Sequence, residues 1–178
     1  MQQVRRFLDK AFGYGKGILS SFQQLKPTAF LKAIANSNEV IKQVQPYNFA
    51  IVLNINDKFI GRPILLKSSY EENVTRVLLK YLKPDIHFLD IGANIGFFSL
   101  LVASQCPTST VISFEPDAQN FKLLQMSRIY NGFEARIQAH PLAVSDRNET
   151  IFLTGVGNND NSGAKITSRD RETLEQFT

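Results

Sequence analysis

Apolar positions along the chain change period repeatedly, and each change predicts an element. Residues 2–12 and 28–44 carry helical spacing, interrupted by Gly13, Gly15, Gly17 and Pro27. From Phe49 the period drops to two. Phe49, Ile51, Leu53 and Ile55 alternate, Asn56-Asp57 is a turn signal, and Phe59 with Ile64 and Leu66 returns. Residues 47–66 are therefore expected to form a hairpin, with Gly61-Arg62-Pro63 making its return strand an edge. The helical period then resumes. Val74, Val77, Leu78, Tyr81 and Leu82 make one apolar face, with Ser69 as the expected cap, Glu71 and Glu72 in the first turn and Pro84-Asp85 as the stop.

Beyond residue 86 short apolar runs alternate with helical stretches. Strands are expected at 87–91, 110–114 and 135–145. Helices are expected at 95–104 and from the cap Asp117 to the stop Asn131-Gly132. A further strand at 150–153 is expected to fold back as a hairpin, and a Gly- and Asn-rich loop follows at 155–163. Such alternation predicts an α/β fold, a parallel sheet with helices on its faces.

Composition narrows the function classes. With 178 residues, 43% hydrophobic and 20% charged, the chain is the size of one folded domain. A single cysteine, Cys106, excludes a disulfide framework, and with only His87 and His140 no metal site is expected. No apolar run reaches the roughly 18–20 residues of a membrane span, so no transmembrane segment is expected. The net charge of +4 sits in residues 1–46, where seven basic residues face two acidic ones; the remainder carries thirteen against fourteen. This basic segment reads as a solvated helical face rather than a membrane or nucleic-acid surface; without a continuous apolar core it is not expected to be a secretory signal, and a cytoplasmic location is expected.

The chemistry concentrates in Asp90-Ile91-Gly92-Ala93-Asn94-Ile95-Gly96, where the first parallel strand hands over to a helix. In open α/β sheets, ligands bind at this carboxyl edge. Gly92 and Gly96 permit a sharp turn and close approach of a ligand, and the N–H groups at the start of the helix are expected to face an anionic group. Asp90 offers a carboxylate to an ammonium. Glu115, 25 residues later at the end of the second strand, can accept from both hydroxyls of a ribose. Together these features predict an adenosine-type cofactor. A nicotinamide dinucleotide is the alternative, but its G-x-G-x-x-G pattern is broken here by Asn94 and Phe97. Asp117 reads as an N-cap, Asp146 as a turn residue, His140 as structural, and Phe97-Phe98 as core.

The run from Phe88 through Asp90-Ile91-Gly92-Ala93-Asn94-Ile95-Gly96 to Leu100 resembles the first motif of FkbM-type S-adenosylmethionine-dependent methyltransferases. Ile112-Ser113-Phe114-Glu115-Pro116-Asp117 looks like that family's second motif, Ala143-Val144-Ser145-Asp146 its adenine-side segment, and Tyr70-Glu71 its tyrosine-glutamate pair. The resemblance covers about residues 49–175. It implies a Rossmann-like class I methyltransferase sheet, S-adenosyl-L-methionine as cofactor, and O-methylation of a sugar or other hydroxylated small molecule. Glu71, Asp90, Gly92, Asn94, Gly96, Glu115 and Ala143 are the implied cofactor ligands, Glu115 at the ribose and Ala143 beside the adenine. No residue is assigned as a catalytic base. The protein's main task would be to bring two reactants together, which contributes roughly 7–11 kcal/mol.

The sequence departs from the family after Thr173-Leu174-Glu175, where a fourth core strand would follow. In the family's strand order 3-2-1-4-5-7-6 the chain would hold only strands 3, 2 and 1. The expected organisation is a basic helical segment at 1–46 and a partial methyltransferase domain at 47–178, with its cofactor-binding half at 69–146. An exposed apolar sheet edge predicts self-association and little methyl transfer by this chain alone. A non-catalytic or partner-dependent module is the corresponding alternative.

Overall fold

The computed structural model describes residues 38–147, 152–154 and 166–168, all within the second of two compact units, which begins at Asn38. Residues 2–12, the first part of 28–44, and the Gly- and Asn-rich loop at 155–163 lie outside the described residues.

The first described element is a strand, β1 (Glu39–Val44), paired antiparallel with β2 (Phe49–Asn54) from Glu39↔Asn54 to Val44↔Phe49. The expected helix at 28–44 therefore fails over its last six residues. Val40, Ile41 and Val44 are compatible with a helical stripe, but they are β-branched, and pairing with β2 decides in favour of a strand. The hairpin of residues 47–66 is likewise corrected, because β2 pairs backward with β1 and not forward. After Asn56, the Asp57 Oδ1 accepts the amides of Phe59 and Ile60 at 3.0 Å each. This side-chain turn starts helix α1 (Gly61–Lys67), in which Pro63 sits in the tolerant first turn. Ile60 and Ile64, four apart, supply its buried side. Of the residues read as a returning strand, Ile64 is buried in this helix, whereas Phe59 and Leu66 are exposed.

Helix α2 (Glu72–Tyr81) forms near its expected place, but Ser69 is not the cap; its hydroxyl instead donates to Glu72 Oε1 at 3.0 Å. Its apolar stripe is not buried. Val74, Val77 and Tyr81 are all exposed, and Thr75 is the buried residue of the helix.

The sheet that matters for function has the order β3-β4-β5, all parallel: β3 (His87–Ile91), β4 (Thr110–Phe114) and β5 (Ile137–His140). Helices α3 (Phe97–Gln105) and α4 (Ala118–Tyr130) make the crossovers. This is the expected α/β, Rossmann-like arrangement, and the three strands lie in the predicted spatial order. Asp117 caps α4 as expected, accepting the amides of Gln119 and Asn120, and Gly132 follows its end with φ +69°. The third strand is shorter than 135–145, so Ala143 and Val144 lie in a loop. The strand expected at 150–153 corresponds to β6 (Phe152–Thr154), which pairs antiparallel with β7 (Ile166–Ser168), not with the preceding strand.

One face of the parallel sheet is dry. Asp90, Val111, Ser113 and Ile137 are buried on it, and α3 packs against β3 and β4. Period two sends His87, Leu89 and Ile91 to the other face, where Leu89 and Ile91 are 56% and 57% exposed. Strand β2 is buried along its length and packs on α1, α3 and α4. Its outer edge meets side chains of α4. Asn131 just beyond that helix accepts from Ala50 N at 2.8 Å and donates to Ala50 O at 2.6 Å, while Ser127 Oγ accepts from Val52 N at 2.8 Å. Lys122 of α4 also pairs with Glu39 of β1 at 2.7 Å.

Candidate functional site

The candidate site lies at the carboxyl edge of β3 and β4. Asp90 is opposite Ser113 in the ladder, and Glu115 directly follows Phe114, the partner of Ile91. The two carboxylates thus end neighbouring parallel strands on one edge, as the sequence predicts. Both are buried, 8% and 6% exposed.

The loop between β3 and α3 is held from below. Gly92 N and Ala93 N both donate to Phe114 O at 2.9 Å, and Gly96 N donates to Ala93 O at 2.8 Å. Asn94 N donates to Glu115 Oε2, and Ile95 N to Asn94 Oδ1, each at 2.8 Å. Every amide from Gly92 to Gly96 therefore has a protein acceptor. The anion cradle expected from the helix start is absent over these five amides, because the end of β4 and two side chains consume them. The other Glu115 oxygen accepts Asp117 N at 2.8 Å, so this one carboxylate ties the two βα loops together.

The glycines divide in role. Gly92 has φ +75°, and a Cβ there would meet nothing within 4 Å. This backbone is open to a ligand. Gly96 has φ +87°, and a Cβ there would lie 2.8 Å from Leu124 Cγ. Its lack of a side chain serves the packing of α3 against α4, a reason different from the expected ligand approach. Asn94 also sits at positive φ, +52°, which asparagine tolerates better than most residues.

Above the loop is a cleft of about 1040 Å³, whose lining includes Phe59, Lys67, Tyr70, Glu71, Gly92 and Asn94. Glu71 occupies the cap position of α2 with φ +40°. Three sequence-predicted ligands, Glu71, Gly92 and Asn94, thus share one cleft; Glu115 accepts the amide of Asn94, and Asp90, Gly96 and Glu115 do not themselves line the cleft. Ala143 is half-buried in the loop after β5 and does not line the cleft.

Burial raises the Asp90 carboxyl above its ordinary range, and hydrogen bonds from Ser99 oppose that rise. Tyr70 packs between Phe97 and Phe98, with ring centroids 5.4 and 5.7 Å away. Its phenol is pushed up to about 12, first by burial and then by the Glu71 carboxylate. Among the described residues no cation lies within ion-pair distance of Asp90. No group of three or more His, Cys, Asp or Glu residues could hold a metal among them, and no helix among them is long and apolar enough to cross a membrane. Sequence reasoning missed Ser99 and Ser113, because short hydroxyl residues inside a helix and a strand carry no local signal.

No protein-family model matches the chain. It is 32% identical to Methyltransferase 1 of Beauveria bassiana over 72 residues, 40% of this chain and 28% of that protein. It is 25% identical to Methyltransferase sdnD of Sordaria araneosa over 122 residues, 68% of this chain and 44% of that one. Over 102 residues it is also 32% identical to AMB antimetabolite synthetase AmbE of Pseudomonas aeruginosa, covering 56% of this chain and 4% of that protein. The chain thus spans less than half the length of these curated relatives. Among solved structures, Pyrococcus horikoshii TYW2 in complex with MeSAdo superposes with a TM-score of 0.49 and 18% identity, over 75% of this chain and 53% of that one.

Proposed function

We propose that this chain carries the cofactor-binding part of an S-adenosyl-L-methionine-dependent methyltransferase of FkbM type, acting on a hydroxyl of a small molecule such as a sugar. One observation carries the reading. The site presents buried carboxylates while its loop amides are already used. Carboxylates accept from ammonium and hydroxyl groups and repel phosphates. A zwitterionic amino acid head joined to a ribose fits that chemistry, whereas the pyrophosphate of a nicotinamide dinucleotide does not. The names of the Beauveria and Sordaria relatives support the same reading.

In it, Asp90 takes the ammonium, Glu115 the ribose hydroxyls, and Gly92 with Asn94 give the backbone surface on which the amino acid part rests. Glu71, on the cleft lining, is a second acceptor for the ammonium, and Ala143 flanks the adenine. When bound, S-adenosylmethionine supplies an activated methyl group, so the residues here bind and orient and need not activate the donor. Lys67 is the single cation among the cleft-lining residues, which favours a small acceptor over a nucleic acid. A cytoplasmic location belongs to the same proposal.

Calorimetry with S-adenosylhomocysteine and with NADH tests it, followed by methyl-transfer assays on a panel of hydroxylated acceptors. The homocysteine compound is expected to bind and NADH not to. Tighter binding of NADH would overturn the reading.

A further inference from the structure

Resting on that cofactor reading, we infer that Ser99 is a positioning residue: it holds the Asp90 carboxylate, backed by Ser113, in the orientation that receives the ligand ammonium. Ser99 lies in the first turn of α3 and is fully buried. Its hydroxyl donates to Asp90 Oδ2 at 2.5 Å. Because that proton is committed, the contact between Ser99 Oγ and Ser113 Oγ at 2.7 Å has Ser113 as donor. Ser113 is itself fully buried and lies opposite Asp90 in the ladder between β3 and β4. The result is a directed chain, from Ser113 to Ser99 to Asp90, that joins the second strand, the first crossover helix and the first strand.

The chain matters because the carboxylate stands without a charged partner. The groups packed around it from α3 and β4 are the two uncharged hydroxyls and the Ser99 backbone amide, a donor that Ser99→Ala leaves in place. The titratable neighbours are the protonated Tyr70, which feels the charge of Asp90, with Asp57 and Glu71 also acting on that phenol. Hydroxyl donation is therefore the contact among the described side chains that favours the ionised form. A buried carboxylate with one oxygen fixed by such a donor presents its other oxygen in a fixed direction. Fixing direction in advance lowers the ordering cost of binding.

The test uses the full chain and S-adenosylhomocysteine as the probe, in three variants. Ser99→Ala is expected to weaken binding about tenfold at neutral pH, the scale of one charge-assisted hydrogen bond. It is also expected to move the acidic limb of the binding profile to higher pH, since the carboxyl loses the donor that opposed its protonation. Ser99→Thr keeps the hydroxyl and is expected to restore both the affinity and the position of the limb. In an Asp90→Asn background, Ser99→Ala is expected to change affinity less than twofold. Circular dichroism of each variant separates loss of fold from loss of binding. If the parent binds while Ser99→Ala retains both its affinity and its acidic limb, the positioning role is overturned and the cofactor reading stands. If a folded Ser99→Ala variant binds weakly with an unmoved limb, or Ser99→Thr fails to restore it, the role is likewise overturned. If the parent itself does not bind, the cofactor reading falls and the inference falls with it.

Discussion

Asp90 and Glu115 are both buried acids, yet their surroundings assign them different burdens. In the proposed reading Asp90 is a charge held for a ligand. Its raised carboxyl pKa means that the folded state takes up the proton more readily than the unfolded chain. Its contribution to stability is therefore full below the ordinary aspartate range and is lost as pH rises through the folded value. Asp90→Asn is expected to raise the melting temperature of the free protein at pH 7, an advantage that shrinks on acidification, while lowering affinity for S-adenosylhomocysteine at least tenfold. Thermal melts at pH 4 and pH 7 beside calorimetry check both halves, and a variant less stable at pH 7 contradicts the account. Glu115 already receives two backbone amides. Glu115→Gln sets an NH₂ group against one of those N–H donors. It is thus expected to weaken binding nearly as much as Glu115→Ala, each by tenfold or more. A glutamine variant that binds like the parent would show that the amide ties carry no weight.

Elements became legible in the sequence where local pattern and tertiary partner agree. Strand β4 falls where its short apolar run between two helical stretches puts it, and the Asp117 cap and the Gly132 stop bound α4 as read. Strand β1 was hidden because its β-branched residues also satisfy a helical period, and its partner comes later in the chain. Helix α1 was hidden by a proline in its first turn and by the Asp57 side chain, whose role as a turn acceptor has no periodic signature. For the site, the two acids and the loop were legible from spacing, but the use of the loop amides was not, since it depends on where Phe114 and Glu115 arrive in space. The same distinction separates the glycines. Gly96→Ala adds backbone strain to a collision with Leu124 and is expected to cost roughly 2–4 kcal/mol, whereas Gly92→Ala faces strain alone, about 1–2 kcal/mol. Urea unfolding of both variants measures the difference. Adding Leu124→Ala should recover part of the loss in the first and none in the second; equal costs would remove the packing explanation for Gly96.

At the scale of the molecule, burial among the described residues is lopsided. The face of the sheet under α3 is closed, while Leu89 and Ile91 on the other face and Val74, Val77 and Tyr81 on α2 meet water. Apolar surface of this kind associates. The chain is expected to scatter light as more than a monomer, and Leu89→Glu with Ile91→Glu is expected to lower its mass toward that of one chain; an unchanged mass would place the contact elsewhere. The contrast with β2 is instructive, because its outer edge has no neighbouring strand among the described residues but is closed by Asn131 and Ser127. In deuterium-labelled water, the amides of Ala50 and Val52 should therefore exchange as slowly as those at the centre of a sheet. They can be released only when a helix some eighty residues further along lets go. Two slow protons on an outer strand would thus act as a clock for the undocking of α4, readable one amide at a time by nuclear magnetic resonance.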